Sequence, residues 1–155
     1  MTDWPRQSAC RAFYGAPGTG HTMLVLPYPM RIAWDRHIVI RQFTIHKKCA
    51  DSARKVLQQA LDHYGIDKIR ELGLDLFGGC FNNRPMRGGS QLSMHAYACA
   101  IDFDPERNQL KWGKDKARLA KPDCVKWWEL WEAEGWTSLG RARNFDFQHV
   151  QAARL

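Results

Sequence analysis

The sequence predicts an α+β fold: a small, mostly antiparallel sheet with flanking helices. Two observations carry this. Two stretches follow the 3.6-residue spacing of an amphipathic helix, and six short stretches are rich in β-branched and aromatic residues. The turns in the second half are too brief for regular βαβ crossovers. At 155 residues, with 45% hydrophobic and 25% charged content, the chain has the length and composition of one globular domain over 1–155.

In chain order, residues 1–21 carry Gly15, Pro17, Gly18 and Gly20 and read as an irregular N-terminal arm. Thr22–Leu26 and His37–Phe43 read as strands, with Pro27-Tyr28-Pro29 extended or turning between them. Ala53, Val56, Leu57, Ala60, Leu61 and Tyr64 form one helical stripe, and Gly65 stands where a C-cap belongs. Leu74–Phe77, Cys99–Phe103, Gln109–Trp112 and Phe145–Val150 read as further strands. A second helix starts near Pro122, with Asp123 at the positive end of its dipole, and stops at Gly135. Its Trp127, Trp128 and Trp131 read as a buried face in preference to a sugar-stacking platform.

Composition narrows the function classes. The 7 Trp, 7 Phe and 4 Tyr exclude a disordered chain, and no apolar run approaches the ~20 residues of a membrane span. A net charge of +7 suits a polyanionic partner or a solvated surface. The cations are scattered along the sequence without the aromatic-interleaved cluster of a nucleic-acid binder, so no nucleic-acid partner is expected. Five cysteines without a CxxC pair argue against a disulfide framework and for synthesis in a reducing compartment. The start of the chain shows no signal peptide, which makes the cytoplasm the expected place of synthesis. Nothing demands more than a monomer.

The residues that carry chemistry are Ser93-x-His95, Asp102 and Asp146-x-x-His149. Asp102 is bracketed by Ala100, Ile101 and Phe103, and Asp146 by Phe145 and Phe147. A carboxylate in such surroundings costs several kcal/mol unless something pairs with it. A divalent cation would offset that cost, and imidazole and carboxylate ligands suit Zn2+. His95, Asp102 and His149 then supply three ligands, with Asp146 beside the remaining position as general base and acid. Against this stands the plainer alternative of core histidines and aspartates satisfied by hydrogen bonds. His21, His37, His46 and His63 have no ligand-like partner in sequence, and Cys80 and Cys99 read as small buried residues.

Gly78-Gly79-Cys80-Phe81-Asn82-Asn83-Arg84-Pro85-Met86-Arg87-Gly88-Gly89, then Ser93-x-His95 and Ala100-Ile101-Asp102, resembles the D-alanyl-D-alanine carboxypeptidase-like zinc peptidases. The closest likeness is to their phage-encoded members, the endolysins that cut peptidoglycan peptides. Trp136-x-x-Leu139-Gly140 and Asp146-x-x-His149-x-Gln151 fit the same pattern, and the likeness runs from about Leu24 to the end of the chain.

The resemblance implies a hedgehog-like fold and a zinc-dependent carboxypeptidase or endopeptidase that hydrolyses an amide of the stem peptide or cross-bridge. It implies His95, Asp102 and His149 as ligands, Asp146 as proton shuttle, and Arg84 or Arg87 as the oxyanion's partner, with Arg84 preferred. Ser93 would hydrogen-bond Asp102 or substrate, or else serve as a turn residue. The expected partners are peptidoglycan peptide and anionic envelope polymers, met after release from the cytoplasm. The alternative is a non-catalytic wall- or peptide-binding module that keeps a structural zinc. One departure stands out. The family has glycine where this chain has Ala98, which costs about 1 kcal/mol or more if that position needs a positive φ.

Overall fold

A computed structural model describes residues 3–86, 89 and 91–155. The fold is α+β, with one six-stranded mixed sheet and helices packed on it. The strands are β1 (His21–Ile32), β2 (Asp35–His46), β3 (Leu76–Gly79), β4 (Ala100–Phe103), β5 (Thr137–Ser138) and β6 (His149–Gln151). The helices are α1 (Cys10–Tyr14), α2 (Lys47–Leu72), α3 (Val125–Ala133) and α4 (Leu139–Arg143). The sheet order is β2-β1-β3-β4-β6-β5. Every neighbouring pair is antiparallel except β1 and β3, which run parallel because the chain returns through β2 and α2 between them. Among the described residues, no helix is long and apolar enough to cross a membrane.

The long hairpin follows from period-two burial. Leu24, Leu26, Tyr28, Met30 and Ile32 all turn to the core while Met23 and Val25 stay exposed. Pro27 and Pro29 fall where the register shifts between Val25 and Met30, a stretch that tolerates prolines because regular ladder bonds are suspended there. Helix α2 packs on β1 and buries Ala53, Val56, Leu57 and Ala60 of the stripe read from the sequence, with Leu61 and Tyr64 partly buried and Cys49 added to the same core. Its end differs from expectation. Gly65 (φ 75°, ψ 160°) breaks the helix, but the chain resumes helical geometry and buries Ile69 and Leu72 before stopping. Glycine admits this break without the Cβ clash that a larger residue would bring.

Three other expectations are corrected. The N-terminal segment is not an irregular arm. It holds a helical stretch over Gln7–Ala9 and α1, and it buries Trp4, Cys10 and Tyr14. Gly15, Gly18 and Gly20 mark only the turn that follows, whereas the aromatic residues before them supply the packing. Gln109–Trp112 is a turn, because Asn108 binds the Asp104 carbonyl and the Leu119 N–H, and Trp112 N–H closes back on Gln109. The strand expected over Phe145–Val150 is confined to β6, since Asn144 (φ 58°) and Asp146 (φ 57°) take left-handed conformations that cannot continue a strand.

Helix α3 follows a 3-10 turn at Pro122–Cys124 and buries Trp127, Trp128 and Trp131 completely or nearly so, which leaves no stacking platform there. All five cysteines are buried and unbridged. Gly140 matters for what comes next. A Cβ at this position would run into the ring of buried Phe147, so glycine lets α4 sit directly on the segment leading into β6.

Candidate metal centre

Three short elements converge at one end of β3, β4 and β6. Strand β4 lies between the other two, and its Asp102 pairs in register with Gly79 on one side and His149 on the other. His95 arrives from the 3-10 turn Met94–Tyr97 that precedes β4. Ser93 caps this turn: its Oγ accepts the His95 N–H at 3.2 Å, while its own N–H donates to the Arg84 carbonyl. Asn82 N–H donates to the His95 carbonyl, so the loop after β3 is laced to the same turn.

Ala98 closes the turn with φ 54° and ψ 35°. The position does take the left-handed backbone that favours glycine, so the departure noted in the sequence is a strained residue. It is fully buried, and its carbonyl accepts the His46 N–H at 2.9 Å. Those surroundings hold the strain in place, at a cost of about 1–3 kcal/mol for a residue of this kind.

His95 Nε2 lies 3.2 Å from Asp102 Oδ2, and His149 Nδ1 lies 3.1 Å from Asp102 Oδ1. The three candidate ligand atoms all fall within 4.8 Å of one another. The outer ring nitrogens settle the tautomers. His95 Nδ1 is 2.8 Å from the Cys80 carbonyl, and His149 Nε2 is 2.8 Å from Gln151 Oε1. The amide of Gln151 has only one sensible orientation, because its Nε2 donates to Gln7 Oε1 at 2.8 Å and to the Ala153 carbonyl at 3.2 Å. Both outer nitrogens therefore face acceptors and carry protons.

In neutral imidazoles this leaves the inner nitrogens as lone pairs pointed at carboxylate lone pairs. Two remedies exist: extra protons on the rings, or a cation among the three groups. The electrostatics of the metal-free cluster express the first. Burial pushes the Asp102 carboxyl up, but the charges and hydrogen bonds of His95 and His149 outweigh it and hold the group well below the usual carboxylate range. Burial pushes His149 down, yet Asp102, with help from Asp146, raises it above the ordinary imidazole value.

The second remedy suits a metal ion. His95 Nε2, His149 Nδ1 and one Asp102 oxygen lie within 4.8 Å of one another, near enough to share one ion. The outer hydrogen bonds to Cys80 and Gln151 are the kind that orient metal-bound imidazoles. The residues present thus fit a divalent ion with two nitrogen ligands and one oxygen ligand.

The cluster opens into a cavity of about 450 Å³ bordered by Arg84, Met86, Ser93, Arg143, Phe145 and Asp146. Of the residues singled out in the sequence, His95, Asp102 and His149 are brought into contact, and Asp146, Arg84 and Ser93 line the same cavity. Arg87 lies outside the described residues. Asp146 sits three residues before His149, and its carbonyl accepts the His149 N–H at 3.0 Å. Sequence reasoning gave no role to Gln151, Gln7 or the Cys80 carbonyl. Gln151 stood in the matched motif, whereas Gln7 is 144 positions away from it and nothing local pointed there.

No family model, curated protein or solved structure matches this chain.

Proposed function

We propose that this chain is a zinc peptidase that hydrolyses an amide bond in the peptide of bacterial peptidoglycan. In this reading the fold is the hedgehog-like arrangement of the D-alanyl-D-alanine carboxypeptidase-like enzymes, and the role is that of a phage-type lytic enzyme acting on the wall after release. The observation that carries the reading is the facing of three acceptor atoms, His95 Nε2, Asp102 and His149 Nδ1, with both outer ring nitrogens already committed. A second carboxylate and an arginine beside them supply what amide hydrolysis needs beyond a metal.

His95, Asp102 and His149 would hold zinc, which when bound polarises a scissile carbonyl and lowers the pKa of water to about 7. Asp146, on the cavity wall, accepts the proton of the attacking water and returns it to the leaving amine. Its left-handed backbone turns the chain toward β6. Arg84, whose main-chain carbonyl accepts the Ser93 N–H and whose side chain borders the cavity, would offer its positive charge to the oxyanion that develops on the carbonyl oxygen. Cys80 and Gln151 keep the two imidazoles in the ligating tautomer.

The test is mass spectrometry of purified peptidoglycan incubated with the protein, with and without a chelator. Peptide fragments that vanish with chelator and return with zinc are expected, and their masses identify the bond. An unchanged digest from folded, zinc-loaded protein would replace the peptidase with a binding module that keeps a structural zinc.

A further inference from the structure

The basic residues that look scattered in the sequence are gathered by the fold beside the cavity. Residues 111–121 hold Lys111, Lys114, Lys116, Arg118 and Lys121 against one acid, Asp115. This segment is fastened to the end of α4. Lys114 N–H donates to Asn144 Oδ1 at 2.7 Å, and Asp146 N–H donates to the Leu110 carbonyl at 2.8 Å. Arg141 and Arg143 therefore lie alongside the lysines. Arg118 is paired with Asp123 and Arg141 with Glu132. Lys111, Lys114, Lys116, Lys121 and Arg143 are exposed and make no ion pair among the described residues.

Between the two stretches runs a groove of about 340 Å³, with Lys114, Lys121 and Arg141 on its rim and Trp128 and Phe147 in its floor. The strip adjoins the candidate site, since Leu110, next to Lys111, and Arg143 border that cavity.

We propose that this strip binds a linear phosphodiester polymer attached to the bacterial wall and holds the cavity against the peptides of the same wall. Unpaired lysine charges, Lys114 and Lys121 on the groove's rim and Lys111 and Lys116 in the same segment beside it, complement a polymer with one negative charge per repeat. Nucleic acid fits less well. Trp128 is buried and Lys116 Nζ sits 4.3 Å over the half-buried Trp112 ring, so these two rings form no open platform for base stacking. Of the helices beside it, α4 has five residues, too few to read a groove, and α3 contributes only Val125 and the buried Trp128 to the groove wall. The assignment of the polymer to the wall rests on the peptidase reading.

The test sediments the full-length protein with insoluble wall that carries its phosphodiester polymer, and with the same wall stripped of it by hydrofluoric acid. A variant combining Lys111→Gln, Lys114→Gln, Lys116→Gln and Lys121→Gln is compared with the corresponding four Lys→Arg changes. Circular dichroism establishes that both variants are folded. The wild type and the arginine variant should be retained by intact wall, with retention weakening steeply as salt rises. Loss of the polymer or of the four charges should weaken retention by about tenfold or more. Hydrolysis of a small soluble stem peptide should stay unchanged in the glutamine variant.

Equal retention on stripped wall, or by the glutamine variant, overturns the proposal. Tighter retention of duplex DNA at the same ionic strength overturns it in favour of nucleic acid. If the wild type binds intact wall through these charges but cleaves no peptide, the binding surface stands and the peptidase reading fails.

Discussion

Replacing Gln151 with leucine tests whether the ring tautomers govern metal affinity. Gln151 Oε1 is the acceptor for His149 Nε2–H at 2.8 Å, and the side chain is almost completely buried. Leucine keeps similar bulk but removes the acceptor, so His149 loses the bond that leaves Nδ1 available as a ligand. An unsatisfied buried donor costs about 1–3 kcal/mol. Losing an outer hydrogen bond of a metal-bound histidine lowers affinity by about 10- to 100-fold, or about 1.4–2.8 kcal/mol, and the two ranges overlap.

The direct assay is competition for zinc between metal-free protein and a chromogenic chelator. Gln7→Ala is the companion variant. It removes one of the two acceptors that orient the Gln151 amide and leaves the Ala153 carbonyl, so its effect should be smaller. Zinc affinity of folded Gln151→Leu within twofold of wild type would refute the argument, because the orientation of His149 would then not depend on its outer hydrogen bond.

Asp146→Asn should bind zinc stoichiometrically but lose about 10²–10⁴ in peptide hydrolysis, as expected for a lost proton shuttle; full activity by fragment release would remove Asp146 from the chemistry. In metal-free protein, the lowered Asp102 carboxyl contributes stability that is present above about pH 4 and lost as pH falls further, while the raised His149 contributes stability present below about pH 6.5 and lost as pH rises through its folded value. Thermal melts with chelator should therefore show this contribution fading on both sides of that window, whereas the extra stability given by zinc grows with pH because its ligands must be deprotonated. Ala98→Val should destabilise by more than about 2 kcal/mol in denaturant titration, because a β-branched residue fits a left-handed, fully buried position poorly, and Ala98→Gly should be tolerated.

What the sequence made legible depended on how local the cause was. The α2 stripe, the strand around Asp102 and the buried Trp face of α3 each follow from side chains a few positions apart. The coming together of His95, Asp102 and His149 was also readable, because a carboxylate set among Ala100, Ile101 and Phe103 needs partners to offset its desolvation. The turn at Gln109–Trp112 was not readable, since its conformation is decided by the Asn108 amide reaching to Leu119. Nor was the N-terminal segment: its order comes from Trp4 bonding to the Glu134 carbonyl and Tyr14 to Ala152, contacts that span more than 120 residues.

The same distinction explains why the candidate site was half visible. The atoms that would touch a metal are written as residue types in a motif, but the atoms that orient them are not. One is a main-chain oxygen, that of Cys80, whose side chain gives no hint of the role. The other is a glutamine whose own orientation depends in part on Gln7, which is brought near as the N-terminal segment docks on the end of the chain, with Gln7 N–H bonding to the Arg154 carbonyl beside β6. Docking of the segment that carries Gln7 is therefore a condition for the geometry of His149, acting through Gln151. A truncation that removes Gln7 should leave the three ligands in the chain and still weaken zinc binding. Deleting the same residues without any change in affinity would show that the sheet alone positions the site.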